Sequence, residues 1–117
     1  MRNTAKAAAS DLLASVDFTP QYDIMKIGPL PKAGVYIVYA DGDPVYCGIS
    51  NDLRRRISYL RKATASHHDK AADVQEALAV GQTVTISTWY ESQGIPRQLI
   101  EQAAIYTFDL RDKWNAA

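Results

Sequence analysis

The apolar positions of the chain change their period several times, and each change marks an element. Residues 34–40, Gly34-Val35-Tyr36-Ile37-Val38-Tyr39-Ala40, are almost entirely β-branched or aromatic, which predicts a strand. Asp41-Gly42-Asp43-Pro44 follows, and an Asp-Gly pair between apolar runs predicts a tight hairpin turn. Val45-Tyr46-Cys47-Gly48-Ile49 then returns as a second short strand, paired antiparallel with the first. The period next lengthens. Leu53, Ile57 and Leu60 recur at helical spacing and form one buried stripe, with Ser50 or Asn51 as the N-cap. Residues 64–68 read as a loop. Asp69 caps a further helix whose inward positions are Ala71, Val74 and Leu78 and which Gly81 ends. Residues 83–90 alternate, with Val84, Ile86, Thr88 and Tyr90 on one face and Thr83, Thr85, Ser87 and Trp89 on the other, as in a half-buried strand. Pro96 suits the first turn of a last helix over residues 96–110. Leu99, Ala103, Tyr106 and Leu110 make one stripe of that helix, and Glu101, Ile105 and Phe108 make another.

Ahead of the hairpin, residues 4–16 are Ala-rich with Leu12, Leu13 and Val16 and read as a peripheral helix that covers the sheet. Residues 17–33 carry Pro20, Gly28, Pro29 and Pro31, which break regular structure and predict an extended lead-in loop. The order helix, hairpin, helix, helix, strand, helix predicts an α+β fold, a small three-stranded antiparallel sheet flanked by helices. Residues 1–33 form the helix and lead-in, and residues 34–117 the domain proper. With 117 residues, 47% of them hydrophobic, the chain can bury a core without a covalent staple. Cys47 is the single cysteine, so no internal disulfide forms, as suits a reducing compartment. One Cys and two His argue against a closed zinc site. Arg2, Lys6 and Asp11 interrupt the N-terminal apolar residues, and no stretch has the length of a membrane span. A cytoplasmic protein without a membrane partner is expected.

Charge changes this picture through its distribution. The net charge is zero, which on its own speaks against a nucleic-acid ligand. Residues 44–72, however, hold six basic side chains (Arg54, Arg55, Arg56, Arg61, Lys62, Lys70) against two acids, and residues 73–117 hold six acids against three bases. Arg54, Arg55, Arg61 and Lys62 make either a solvated helix face or a set of phosphate contacts. Arg56 differs from them. At about 100° per residue it lies about 60° from the buried stripe, at the edge of the core beside the hairpin. Glu101 also stands out, because a carboxylate on an apolar stripe is costly unless paired. A hard divalent cation, which takes one or two carboxylates and keeps several waters, would relieve that cost; a solvated face would too.

Gly34-Val35-Tyr36, then Tyr46-Cys47-Gly48 with its tyrosine ten residues on, then Arg56 after a further ten, then Glu101 on a later helix: this constellation resembles the GIY-YIG endonuclease family. That family includes excision-repair nuclease domains, intron-encoded homing endonucleases and some restriction enzymes. The resemblance implies a DNA phosphodiester hydrolase working with one Mg2+ or Mn2+ ion. Tyr36 and Tyr46 would converge on the metal and the attacking water, Arg56 would stabilise phosphate charge, and Glu101 would bind the metal. Gly34, Gly48, Ser50 and Asn115 would support the site. DNA is the implied partner; branched or nicked substrates, a homodimer and a partner protein stay open. The sequence departs from the family pattern in two places. Cys47 replaces an aliphatic residue. Leu60 stands where the family carries Tyr or His, four residues after the motif arginine, with Tyr59 one position earlier and pointing about 100° away. His67 or His68 from the following loop could substitute, His67 also as a nucleic-acid contact. A catalytically silent nucleic-acid-binding module of the same fold is the alternative reading.

Overall fold

The computed structural model describes residues 4–26, 28–62, 70–92 and 94–115. Among these, α1 (Thr4–Ala14) and β1 (Tyr22–Asp23) precede the hairpin of β2 (Gly34–Ala40) and β3 (Asp43–Ser50). Then come α2 (Leu53–Leu60), α3 (Lys70–Ala79), β4 (Val84–Tyr90) and α4 (Arg97–Thr107), followed by a 3-10 turn at Leu110–Asp112. The sheet has four strands in the order β1-β4-β2-β3, all neighbours antiparallel. The fold class is α+β as expected, with one strand more than expected. Tyr22 and Asp23, within the predicted lead-in loop, pair with Ile86 and Thr85 of β4. Two residues are too few to show a period of their own, so only their partner strand reveals them.

The hairpin turns on Asp41 at φ 50° and Gly42 at φ 86°, the two positive angles that a type I′ turn requires. Ala40 pairs with Asp43 and Tyr39 with Pro44, while Val38 pairs with Tyr46, so Val45 is an extra residue and β3 bulges there. Pro44 is tolerated because β3 is an edge strand. Beyond the bulge Tyr36 lies opposite Gly48, and on its other side opposite Thr88.

Helices cover both faces. Tyr36, Val38 and Ile86 pack with Leu53, Ile57 and Leu60 of α2 and Ala71, Val74 and Ala77 of α3. On the reverse face Val35, Ile37, Cys47 and Trp89 pack with Ile100, Ala104 and Ile105 of α4, with Leu12, Leu13 and Val16 from α1 and its C-terminal end against them. This two-sided cover explains why β4 is not half-buried. Its polar residues Ser87 and Thr88 are 2% and 1% exposed, and both are hydrogen-bonded, Ser87 to the Tyr39 hydroxyl and Thr88 to Thr19.

Three local expectations are corrected. The N-cap of α2 is Asp52, whose carboxylate accepts from the Arg55 N–H at 3.1 Å; Ser50 Oγ instead accepts from the Asp52 N–H. On α4 the inward residues are Ile100, Ala103, Ala104 and Ile105, whereas Leu99 and Tyr106 are exposed. That helix ends at Thr107 because Asp109 is left-handed at φ 54°. The proposed cap at Asp69 and the loop 64–68 lie outside the described residues.

No side chain of the N-cap residue Pro96 caps α4. Glu91, just past the end of β4, supplies the missing acceptor: one carboxylate oxygen accepts from the Arg97 N–H at 2.6 Å and the other pairs with the Arg97 guanidinium at 2.8 Å. The backbone N–H and then the guanidinium hold the Glu91 carboxyl below its ordinary range. A carboxyl depressed in the folded state stabilises it above the unfolded pKa, and that contribution is lost as pH falls through the folded value. Urea unfolding of the unaltered chain and of Glu91→Gln will therefore differ at neutral pH, with the variant weaker. The two midpoints will converge as the pH drops through the carboxylate range.

Candidate active site

Tyr36 is fully buried, and its ring fills the space where Gly48 has no side chain. A Cβ on Gly48 would stand 2.5 Å from the Tyr36 hydroxyl oxygen and from the ring carbon that bears it. Gly34 serves a similar end for the backbone, since a Cβ there would stand 2.0 Å from the Trp89 carbonyl oxygen. These two glycines are therefore close-approach positions, the role that Gly takes inside strands. Tyr46 leans against Tyr36 with ring centroids 5.9 Å apart and planes at 46°.

Arg56 comes from the first turn of α2, on the same sheet face. Its Nε donates to the Tyr36 hydroxyl at 3.2 Å, and Tyr46 is the other aromatic side chain against Tyr36. Burial pushes both phenols up from their usual range. Arg56 acts downward on each, and for Tyr46 so does the hydrogen bond from Tyr36. Both are thus held as neutral phenols, Tyr46 less deeply buried than Tyr36.

Leu60 is fully buried in the core and cannot take part in chemistry at the surface. Tyr59 is 39% exposed, and the Arg56 guanidinium lies 5.6 Å from its ring centroid. Residues three apart on a helix are neighbours, so the residue that points away from Leu60 points toward Arg56. Ser50, Asn51, Arg55, Arg56 and Tyr59 line a cleft of about 290 Å3. A larger apolar hollow of about 470 Å3, lined by Thr19, Pro20, Tyr22, Tyr90 and neighbours, belongs to the β1–β4 side and holds none of these residues.

Glu101 lies on α4, half-buried, and burial raises its carboxyl pKa. The Gln102 amide approaches it at 3.4 Å, and among the described residues no Lys or Arg pairs with it. Its charge pushes up both Tyr46 and the buried Cys47 thiol, the latter raised chiefly by burial. Cys47 faces the α4 side of the core as a small apolar residue. No group of three or more His, Cys, Asp or Glu gathers among the described residues, and Glu101 is near enough to Tyr46 and Cys47 for its charge to act on both.

The free edge of β3 is covered by the end of the chain. The Trp114 N–H donates to the Val45 carbonyl at 3.0 Å. Asn115 grips Cys47 from both sides, its Oδ1 accepting from the Cys47 N–H at 2.8 Å and its Nδ2 donating to the Cys47 carbonyl at 2.9 Å. Asn115 thus acts on the backbone between Tyr46 and Gly48.

The other basic residues divide. Arg55 is exposed and lines the cleft, and Lys62 is exposed. Arg54 is exposed, yet its Nε donates to the Pro29 carbonyl. Arg61, expected to face solvent, is half-buried and donates to the Ile24 and Lys26 carbonyls. It fastens the lead-in segment to α2. His67 and His68 lie outside the described residues.

Comparison with known proteins bears on this arrangement. A solved structure of a mutant of bacteriophage T4 EndoII is similar in fold, with a TM-score of 0.49 and 23% identity over 73% of this chain and 71% of that one. No curated protein sequence matches the chain. The sequence model described as the GIY-YIG catalytic domain matches residues 32–105, a span that starts just before β2 and includes Tyr36, Tyr46, Arg56 and Glu101. More than half of the chain lies within that match, and the chain belongs to the GIY-YIG catalytic domain family of nucleases.

Proposed function

We propose that this chain is an endonuclease that hydrolyses DNA phosphodiester bonds with one divalent cation, Mg2+ or Mn2+. The observation that carries the reading is the series Arg56, Tyr36, Tyr46, joined by a hydrogen bond and a ring contact, with a carboxylate, Glu101, whose charge reaches Tyr46 and which has no Lys or Arg partner among the described residues. A half-buried carboxylate without a counter-charge, with no second acid beside it, fits a cation that takes one protein ligand and keeps its waters. Glu101 would hold it. When bound, the cation polarises a phosphoryl oxygen and offsets charge on the leaving oxygen.

The protein's own residues then divide the remaining work. Tyr46, once its own proton has passed to solvent, accepts a proton from the attacking water. Its phenolate is favoured by the hydrogen bond from Tyr36 and by the charge of Arg56, and opposed by burial and by the negative charge of Glu101. A cation on Glu101 would remove the part of that opposition that the carboxylate supplies. Tyr36 is too deeply buried to meet substrate, and it orients Arg56. The Arg56 guanidinium, a planar fork suited to phosphate oxygens, faces the cleft and stabilises the charge that develops there. As water oxygen bonds to phosphorus and the bond to the leaving oxygen breaks, the leaving oxygen takes a proton. Tyr59, against Arg56 in the same cleft, delivers it in place of the residue that Leu60 replaces. Arg55, with Lys62 farther along, contacts the substrate backbone.

Plasmid cleavage with Mg2+ or Mn2+ tests this. Glu101→Ala should lower the metal-dependent rate about 1,000-fold, the worth of a Lewis acid of several kcal/mol. Equal cleavage by both proteins would sink the assignment of Glu101, and no cleavage by the unaltered chain on any DNA would sink the activity. Tyr59→Phe keeps the ring against Arg56 and removes the proton. The expected loss is about 100-fold in kcat with KM held, and an unchanged kcat would remove Tyr59 from the mechanism. Gly48→Ala drives a methyl into the Tyr36 ring. It should cost about 1–3 kcal/mol of stability in urea unfolding and more activity than that destabilisation explains.

A further inference from the structure

Tyr46 sits on an edge strand at a bulge, where a ladder holds a side chain least firmly. Its ring is nonetheless held from two directions. Tyr36 bounds it on the hairpin side. From the N-terminal end of α3, the Lys70 ammonium lies 5.4 Å from the Tyr46 ring centroid, within the range of a cation–π contact. The same ammonium donates to the Trp114 carbonyl and pairs with Asp73 at 3.5 Å. Trp114 is the residue whose N–H binds Val45, immediately before Tyr46, and Asn115 grips Cys47 immediately after it. Lys70 therefore joins three things through one ammonium group: the helix α3, the ring of Tyr46, and the terminal segment that closes the β3 edge.

We infer that Lys70 is a positioning residue, which holds the Tyr46 ring and locks the terminal segment 113–115 onto β3. It does not touch substrate in this arrangement; it acts through Tyr46 and through the Trp114 carbonyl. Asp73 keeps the ammonium on the α3 side, and its charge and three donors are what the position uses. The catalytic part of the inference rests on the reading of Tyr46 as the residue that accepts the proton. The positional part does not.

The test compares Lys70→Met, which keeps the length and removes the charge, with Lys70→Arg, which keeps the charge and donors. Glu76→Gln, on the exposed face of α3, is the control. Two readouts need no substrate: the Tyr46 ring resonance in protein labelled with 13C at tyrosine, and amide hydrogen exchange at Trp114 and Cys47. Lys70→Met should shift the ring resonance and speed exchange at both amides about 10-fold or more while Ile37 and Ile86 in the sheet centre stay protected. Lys70→Arg should restore both. In cleavage, kcat of Lys70→Met should fall about 10-fold or more with KM unchanged, again restored by arginine. An unshifted ring with unchanged amides overturns the inference, as does failure of Lys70→Arg to restore them. A shifted ring with full kcat overturns its catalytic part. If the unaltered chain cleaves nothing, the proposed activity fails, while the ring and amide data still decide whether Lys70 positions Tyr46.

Discussion

A tyrosine hydroxyl inside a core has to find partners or it costs the fold free energy. The Tyr36 hydroxyl finds one in Arg56, and most of the site follows from that arrangement. The ring fits only because Gly48 lies opposite it without a Cβ. The arginine reaches it only because α2 lays Leu53, Ile57 and Leu60 against the same sheet face and leaves Arg56 at the edge of that contact. The hairpin register, the glycine and the helix face are therefore one constraint, and a slip of one residue in β3 would move every side chain on it to the other face.

From this constraint comes a division between two residues of the same type. Tyr36 and Tyr46 are both phenols on one sheet face, yet their surroundings differ. The first is sealed in the core; the second is partly exposed on an edge strand. Burial raises the pKa of both. The uncompensated carboxylate of Glu101 supplies the electrostatic counterpart, raising Tyr46 for as long as it carries its charge alone.

The edges of the sheet are managed by the chain itself. At one end β1 pairs with β4, and Arg61 and Arg54 tie the residues after it to α2 through backbone carbonyls. At the other end Trp114 and Asn115 take up the open edge of β3. Part of the basic charge counted in the middle of the sequence is thus spent inward on structure, which leaves Arg55 and Arg56 as the arginines of the cleft.

By itself the sequence determined whatever depends on neighbours in the chain. The strand at 34–40, the Asp41-Gly42 turn, the stripe Leu53, Ile57, Leu60 and the ten-residue spacings among Tyr36, Tyr46 and Arg56 are local periods and local turn chemistry. They carried the hairpin, the helix and three positions of the candidate site. Tertiary structure alone decided the rest. Tyr22 and Asp23 became a strand because β4 offered an edge. The inward side of α4 was set by where the sheet lay, which sent Leu99 and Tyr106 outward against the apparent stripe. Arg61 turned inward because carbonyls of residues 24 and 26, far back in the chain, were within reach. Tyr59 reached the cleft because Leu60 was claimed by the core. In each case the deciding partner is distant in sequence, and no period or spacing near the residue encodes it.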